Sequence, residues 1–146
     1  MENKRNKYCD DFPICSVGVL AMITTYILLT LLLNIHLPIG FMEQVNPMLD
    51  NPNETIMAYH YSQNGSHIYV DNQVPIKILY SGFQKVQFQY PKGNTFTIHP
   101  HREFCSPSYQ DILTMREFKR SIDAIVCNNN TVVFFDSEGH TQEITP

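Results

Sequence analysis

From Phe12 to Met42 the chain carries no Asp, Glu, Lys or Arg, and Ile14 to Leu37 reads ICSVGVLAMITTYILLTLLLNIHL. Leu and Ile fall on every side of a helical wheel, so no charged face is left for water. At 1.5 Å per residue this stretch reaches about 36 Å, against a bilayer core of roughly 30 Å. The pattern predicts a transmembrane signal-anchor helix over 14–37, ended by Pro38 and Gly40. A cleavable signal peptide has a shorter apolar core and a small-residue cleavage site, and Asn34-Ile35-His36-Leu37-Pro38 offers none.

After the span the period changes. Residues 38–55, rich in Asn and Pro, read as a membrane-proximal linker with room for a short helix at 41–46. Ile56–Tyr61 and His67–Asp71 read as strands joined at Gln63-Asn64-Gly65-Ser66, because Asn-Gly supplies the positive φ of a tight hairpin. Ile76, Ile78 and Tyr80 alternate, then Val86, Phe88 and Tyr90, then Phe96 and Ile98, each with polar residues between. Ser108 followed by Asp111 is a capping box, and Ile112, Met115 and Ile122 recur at helical spacing, so a helix is expected over 108–121. Ile125-Val126, TVVFF at 131–135 and HTQEI at 140–144 complete the strand pattern. The expected fold is an α+β domain over 56–146, an antiparallel sheet of about six or seven short strands with one covering helix, following a single N-terminal transmembrane helix.

Charge sets the expected direction. Lys4, Arg5 and Lys7 precede the span, and no Lys or Arg follows it until Lys77, so residues 1–13 read as a cytoplasmic tail and the C-terminal part as extracellular or lumenal. Three N-glycosylation triplets, at Asn53, Asn64 and Asn129, all lie after the span and agree with that side. Gly18, Ala21 and Thr25 share one helix face on which another helix can pack closely. Cys9 and Cys15 bracket the expected membrane boundary, where S-palmitoylation occurs. Cys105 and Cys127 are the cysteines left for the outer domain, and an even pair there reads as one disulfide. The net charge of −4, with acidic residues in excess, argues against a nucleic-acid surface.

Catalytic motifs are sparse. There is no G-x-S-x-G turn near Ser106 or Ser108 and no Gly-rich phosphate loop. His99-Pro100-His101 places two imidazoles two residues apart on an extended stretch, and His60, His67 or His140 are candidates to complete a zinc site. Without a Cys ligand or an H-E-x-x-H pattern, the histidines read more simply as surface or interface residues. Asp111, Glu117 and Asp123 read as solvated. Apolar residues on both faces of IMAYHY and TVVFF ask for a second cover, which suggests a partner protein.

The resulting expectation is a non-catalytic, single-pass type II membrane glycoprotein without cofactor or metal. It would serve as an accessory subunit of a larger membrane complex, in contact with other membrane proteins, the lipid bilayer and N-linked glycans. Two alternatives stay open: an adhesion or viral-entry glycoprotein, and a membrane-anchored lumenal enzyme with a His-containing site.

Overall fold

The computed structural model describes residues 33–145. Among these residues, nine strands run in the order β1 (Asn34–His36), β2 (Met57–Asn64), β3 (His67–Val74), β4 (Lys77–Gly82), β5 (Lys85–Gln89), β6 (Thr95–His101), β7 (Asp123–Cys127), β8 (Thr131–Phe135) and β9 (Thr141–Ile144). Helix α1 (Phe41–Val45), continued by a 3-10 turn (Asn46–Leu49), lies between β1 and β2. Helix α2 (Tyr109–Glu117) joins β6 to β7.

Seven strands form one sheet in the order β1-β3-β2-β6-β7-β8-β9, and β4 and β5 form a separate two-stranded hairpin. The expected antiparallel sheet is therefore corrected to a mixed one. Strand β1 runs parallel to β3, with Ile35 beside Ile68, and β6 runs parallel to β7, with His99 beside Ile125 and His101 beside Cys127. Parallel neighbours cannot be joined by a tight turn, so the chain crosses over through α2. Alternation alone reports which face a residue takes, not the direction of the neighbouring strand, and that is why the sequence did not distinguish the two.

Period two in β6 sorts its side chains. Phe96 and Ile98 enter one core with Tyr59, Ala124, Val126 and Phe134, covered by Phe41, Met42, Val45 and Met48 of α1 and the 3-10 turn. On the opposite face Ile125, Cys127, Val133 and Phe135 pack under Met115 and Ile112 of α2. Both faces of the TVVFF strand are buried by this chain itself, with all five residues at or below 3% exposure. The partner invoked to cover them is not needed. Part of the cover comes from residues 38–55, whose α1 and 3-10 turn bury Phe41 and Val45 almost completely.

The expected membrane helix is also corrected where it can be seen. Asn34–His36 is not its last turn but a sheet strand, held by the β3 ladder and by an Asn34 N–H bond to the Ser66 carbonyl at 2.7 Å. No helix among the described residues is long and apolar enough to cross a membrane. The single-pass localisation, the signal-anchor reading and the membrane partners rested on that helix, and nothing in residues 33–145 supports them. The rest of the span, the tail, and the expectations at Gly18, Ala21, Thr25, Cys9 and Cys15 lie outside the described residues.

Helix α2 begins as its sequence predicts. The Ser108 hydroxyl accepts from the Asp111 N–H, and the Asp111 carboxylate accepts from the Ser108 N–H, a reciprocal capping box. It ends earlier than expected. Lys119 adopts φ 52, its N–H bonds to the Arg116 carbonyl, and the Arg120 N–H bonds to the Met115 carbonyl at 2.8 Å. This pair of bonds around a left-handed residue is a Schellman ending. It turns Phe118 outward and frees Ile122 to join the first core.

Candidate metal centre

The polar positions of β6 lie on the α2 side of the sheet. Thr97, His99 and His101 alternate with the core residues Phe96 and Ile98, so both imidazoles point toward the first turn of α2. Strand β2 pairs with β6 only as far as Ile98, which leaves His99–His101 bordered by β7 alone. Pro100, which has no N–H, is tolerated at such an open edge.

Three side chains converge there. His99 Nε2 stands 3.1 Å from His101 Nε2 and 3.2 Å from Asp111 Oδ1, and His101 Nε2 stands 3.3 Å from Asp111 Oδ2. Among the described residues this is the one group of three His, Cys, Asp or Glu side chains close enough to share a cation. With zinc bonds of about 2.0–2.1 Å, the donors of a tetrahedral site stand roughly 3.3 Å apart. The nearest approaches are close to that spacing, with each imidazole meeting a different oxygen of Asp111.

Hydrogen bonding fixes which atoms are donors. His101 Nδ1 lies 2.8 Å from the Ser106 carbonyl oxygen, an acceptor, so the proton of the neutral ring sits on Nδ1 and the Nε2 lone pair faces inward. A carbonyl held to the far side of a ligating imidazole is the usual outer support of a metal site. The Ser108 N–H and hydroxyl each lie 2.7 Å from Asp111 Oδ2 and orient the carboxylate. An unprotonated His99, His101 and Asp111 would present three acceptors to one point, and such a point is stable only around a cation or shared protons.

Without a cation, the same inward atoms share protons. Burial alone would raise the Asp111 carboxyl, but hydrogen bonds from His101 and His99, the charge of His99 and the Ser108 bond outweigh it and hold the group well below the usual carboxylate range. Burial would lower His101, yet the hydrogen bond and charge of Asp111, the Ser106 carbonyl and the charge of Glu54 raise it.

A cleft of about 640 Å³ opens over the triad, lined also by Glu54, Val86, Phe88, Tyr90, Thr97 and Asp123. Hairpin β4–β5 supplies the Val86 and Phe88 wall. Glu54 is fixed from two sides. Its Oε1 meets Arg102 Nη1 at 3.1 Å, and its backbone is tied to the hairpin through Gly82 and Ser81. Arg102 also donates to the carbonyls of Met48, Leu49 and Asn51 and so holds the whole 48–54 loop against the end of β6. Asp123 is buried at the far end, where Thr97 N–H and Oγ1 donate to its Oδ1 at 2.7 and 3.0 Å.

Against the sequence, the structure brings together His99 and His101 but with none of the three proposed partners. His67 meets His36, His140 meets Asp136, and His60 is exposed. The third donor is Asp111, whose capping role hid its second one. Asp111 and Asp123 are not solvated. Cys105 and Cys127 are joined by a disulfide, with Cα atoms 5.5 Å apart. Asn53, Asn64 and Asn129 are exposed.

No protein-family model and no curated protein matches the chain. Solved structures similar to it include the following two. One is described as JAMM, a metalloprotease-like zinc site in the proteasome and signalosome; it is 19% identical, with TM-score 0.42, over 75% of this chain and 92% of the other. The second is a JAB1/MPN domain protein from Archaeoglobus fulgidus, 20% identical, with TM-score 0.45, over 76% of this chain and 95% of the other. Superpositions this loose decide neither fold nor activity. What overturns the expectation of a non-catalytic subunit is the His99, His101 and Asp111 cluster itself, at the floor of a cleft.

Proposed function

We propose that the chain is a metal-dependent hydrolase of amide bonds, with a zinc-class divalent cation held by His99 Nε2, His101 Nε2 and Asp111. The observation that carries this reading is the convergence of three side chains, with nearest approaches of 3.1–3.3 Å, beneath an open cleft. Two imidazoles and one carboxylate with a fourth position open is a ligand set of zinc peptidases, whereas structural zinc sites are closed by four protein ligands. When bound, the cation supplies Lewis acidity at that open position, lowering the pKa of water and polarising a carbonyl.

The chain's own groups do the remainder. Two carboxylates line the cleft outside the ligand set; Asp123 is buried and engaged by Thr97, which leaves Glu54 as the group to take a proton and return it to a leaving amine. Arg102 fixes its orientation through Oε1. The Ser106 carbonyl and the Ser108 hydroxyl keep His101 and Asp111 aimed, and Val86 and Phe88 limit water at the cleft wall.

The test is metal content and affinity of the purified full chain, followed by hydrolysis of a fluorogenic peptide mixture. One zinc per chain is expected. Asp111→Ala or His101→Ala should weaken zinc binding by about 100-fold or more, beyond the 10–100-fold typical of outer-shell losses. Glu54→Gln should keep the zinc and lose hydrolysis. A folded chain that binds no zinc would overturn the proposal.

A further inference from the structure

We propose that the Cys105–Cys127 disulfide is a redox control on the metal centre: its reduction frees the segment between His101 and Asp111, and the affinity for the cation falls. The inference rests on the metal-site reading above and concerns what holds that site in shape.

Two of the three donors flank one short loop. His101 ends β6, Asp111 lies in the first turn of α2, and residues 102–108 connect them. Cys105 sits in the middle of that connection. Its partner Cys127 is the ladder neighbour of His101 in the parallel β6–β7 pair, so the crosslink ties the loop to the sheet beside a donor. The residues that aim the donors are close to the tie. Ser106, one position on, supplies the carbonyl that receives His101 Nδ1–H, and Ser108, three positions on, supplies both bonds to Asp111 Oδ2.

Packing does little to hold the loop in place of the disulfide. Glu103, Phe104, Cys105 and Ser106 are all exposed, and Phe104 keeps 73% of its surface in water. Cys127 is anchored in the second core at 3% exposure, so on reduction the strand stays and the loop is released. The exposed Cys105 end is open to attack, and exposed disulfides are the labile, regulatory ones. A dithiol reductant gives two electrons and two protons: the S–S bond breaks, two cysteine thiols form, and the reductant leaves as its own disulfide.

The experiment measures zinc affinity of the full chain by competition with a chromophoric chelator in three states: oxidised, reduced with a dithiol that is then removed, and reoxidised. Cys105→Ser/Cys127→Ser is measured beside them, because serines remove the thiols as ligands in their own right. Near-ultraviolet circular dichroism reports whether each metal-free form is folded. If the double variant does not fold, Cys105→Ala replaces it, since Cys127 then keeps its place in the core. The expected result is tight zinc binding when oxidised, about tenfold or weaker binding when reduced or in the variant, and recovery on reoxidation, in the range of outer-shell losses. Equal affinity in all folded states overturns this inference and leaves the metal reading standing. An oxidised chain that binds no zinc overturns both.

Discussion

One carboxylate closes a helix end and completes a ligand set. Asp111 accepts from Ser108 as its capping box requires and turns the same group toward His99 and His101. The sequence showed the first role through its three-residue spacing, and that explanation masked the second. The histidine pair was legible because alternate residues of a strand share a face. Its third partner was sought among other histidines, because no sequence pattern tells that α2 returns over β6. Asp123 was misread for a similar reason: five buried residues in a row, DAIVC, include a carboxyl supported by Thr97 and by the charges of Arg120 and His99. Burial pushes the Asp123 carboxyl up to about 6, against the Thr97 bonds and the charges of Arg120 and His99. The folded chain thus holds this proton over a range where the unfolded chain has lost it. The stability it gives is present below about pH 4 and is lost as pH rises through 6. Two units correspond to about 2–3 kcal/mol. Asp123→Asn should flatten that part of the profile in urea unfolding between pH 4 and 7, and an unchanged slope would show the proton to be elsewhere. Lys119, at φ 52 and exposed, is a simpler case. Lys119→Gly should raise stability by a few tenths to about 1 kcal/mol, since the left-handed region costs a residue with a Cβ about that much. Thermal unfolding would check it.

Elements were legible wherever a local pattern decides them. The Asn64-Gly65 turn forms, with Gly65 at φ 59, and β2 and β3 pair across it. Strand β5 carries the alternation that named it, although it belongs to the hairpin and not to the main sheet. Helix α2 starts at its capping box but stops short, because the Schellman ending at Lys119 has no glycine to announce it. The element most badly misjudged is β1. Asn-Ile-His reads as the end of an apolar run, and only its pairing with β3 makes it a strand. Ser108→Ala tests the cap as part of the site. It removes the hydroxyl bonds to the Asp111 N–H and Oδ2 and should cost about 1 kcal/mol of stability. It should also weaken zinc by about tenfold. A loss of stability with unchanged zinc affinity would separate the cap from the ligand set.

At the scale of the molecule, the sheet is a partition. One side is core filled by α1 and the 3-10 turn, and the other holds α2, the second core and the cleft. That division was out of reach from the sequence, because residues 38–55 look like a linker until their buried side chains are placed. Phe96 shows how closely the first core is filled: it is fully buried, and its ring lies 5.7 Å from Tyr59 and 5.2 Å from Phe134. Phe96→Ala should cost about 3–5 kcal/mol in denaturant unfolding. The adjacent His99 and His101 lie on the opposite face, so any residual folded fraction should still take up zinc; its loss from the folded fraction would show that the two faces are not independent.

All three donors fall between His99 and Asp111, whereas Glu54 reaches the cleft only after the chain has travelled through β2 to β5. On the proposed function, capture of the ion is thus a short-range property of one crossover, and turnover a long-range property of the finished architecture. Partial denaturation should pull the two apart: a frayed molecule would keep its ion while already idle, and in a urea series catalysis would vanish before zinc is released.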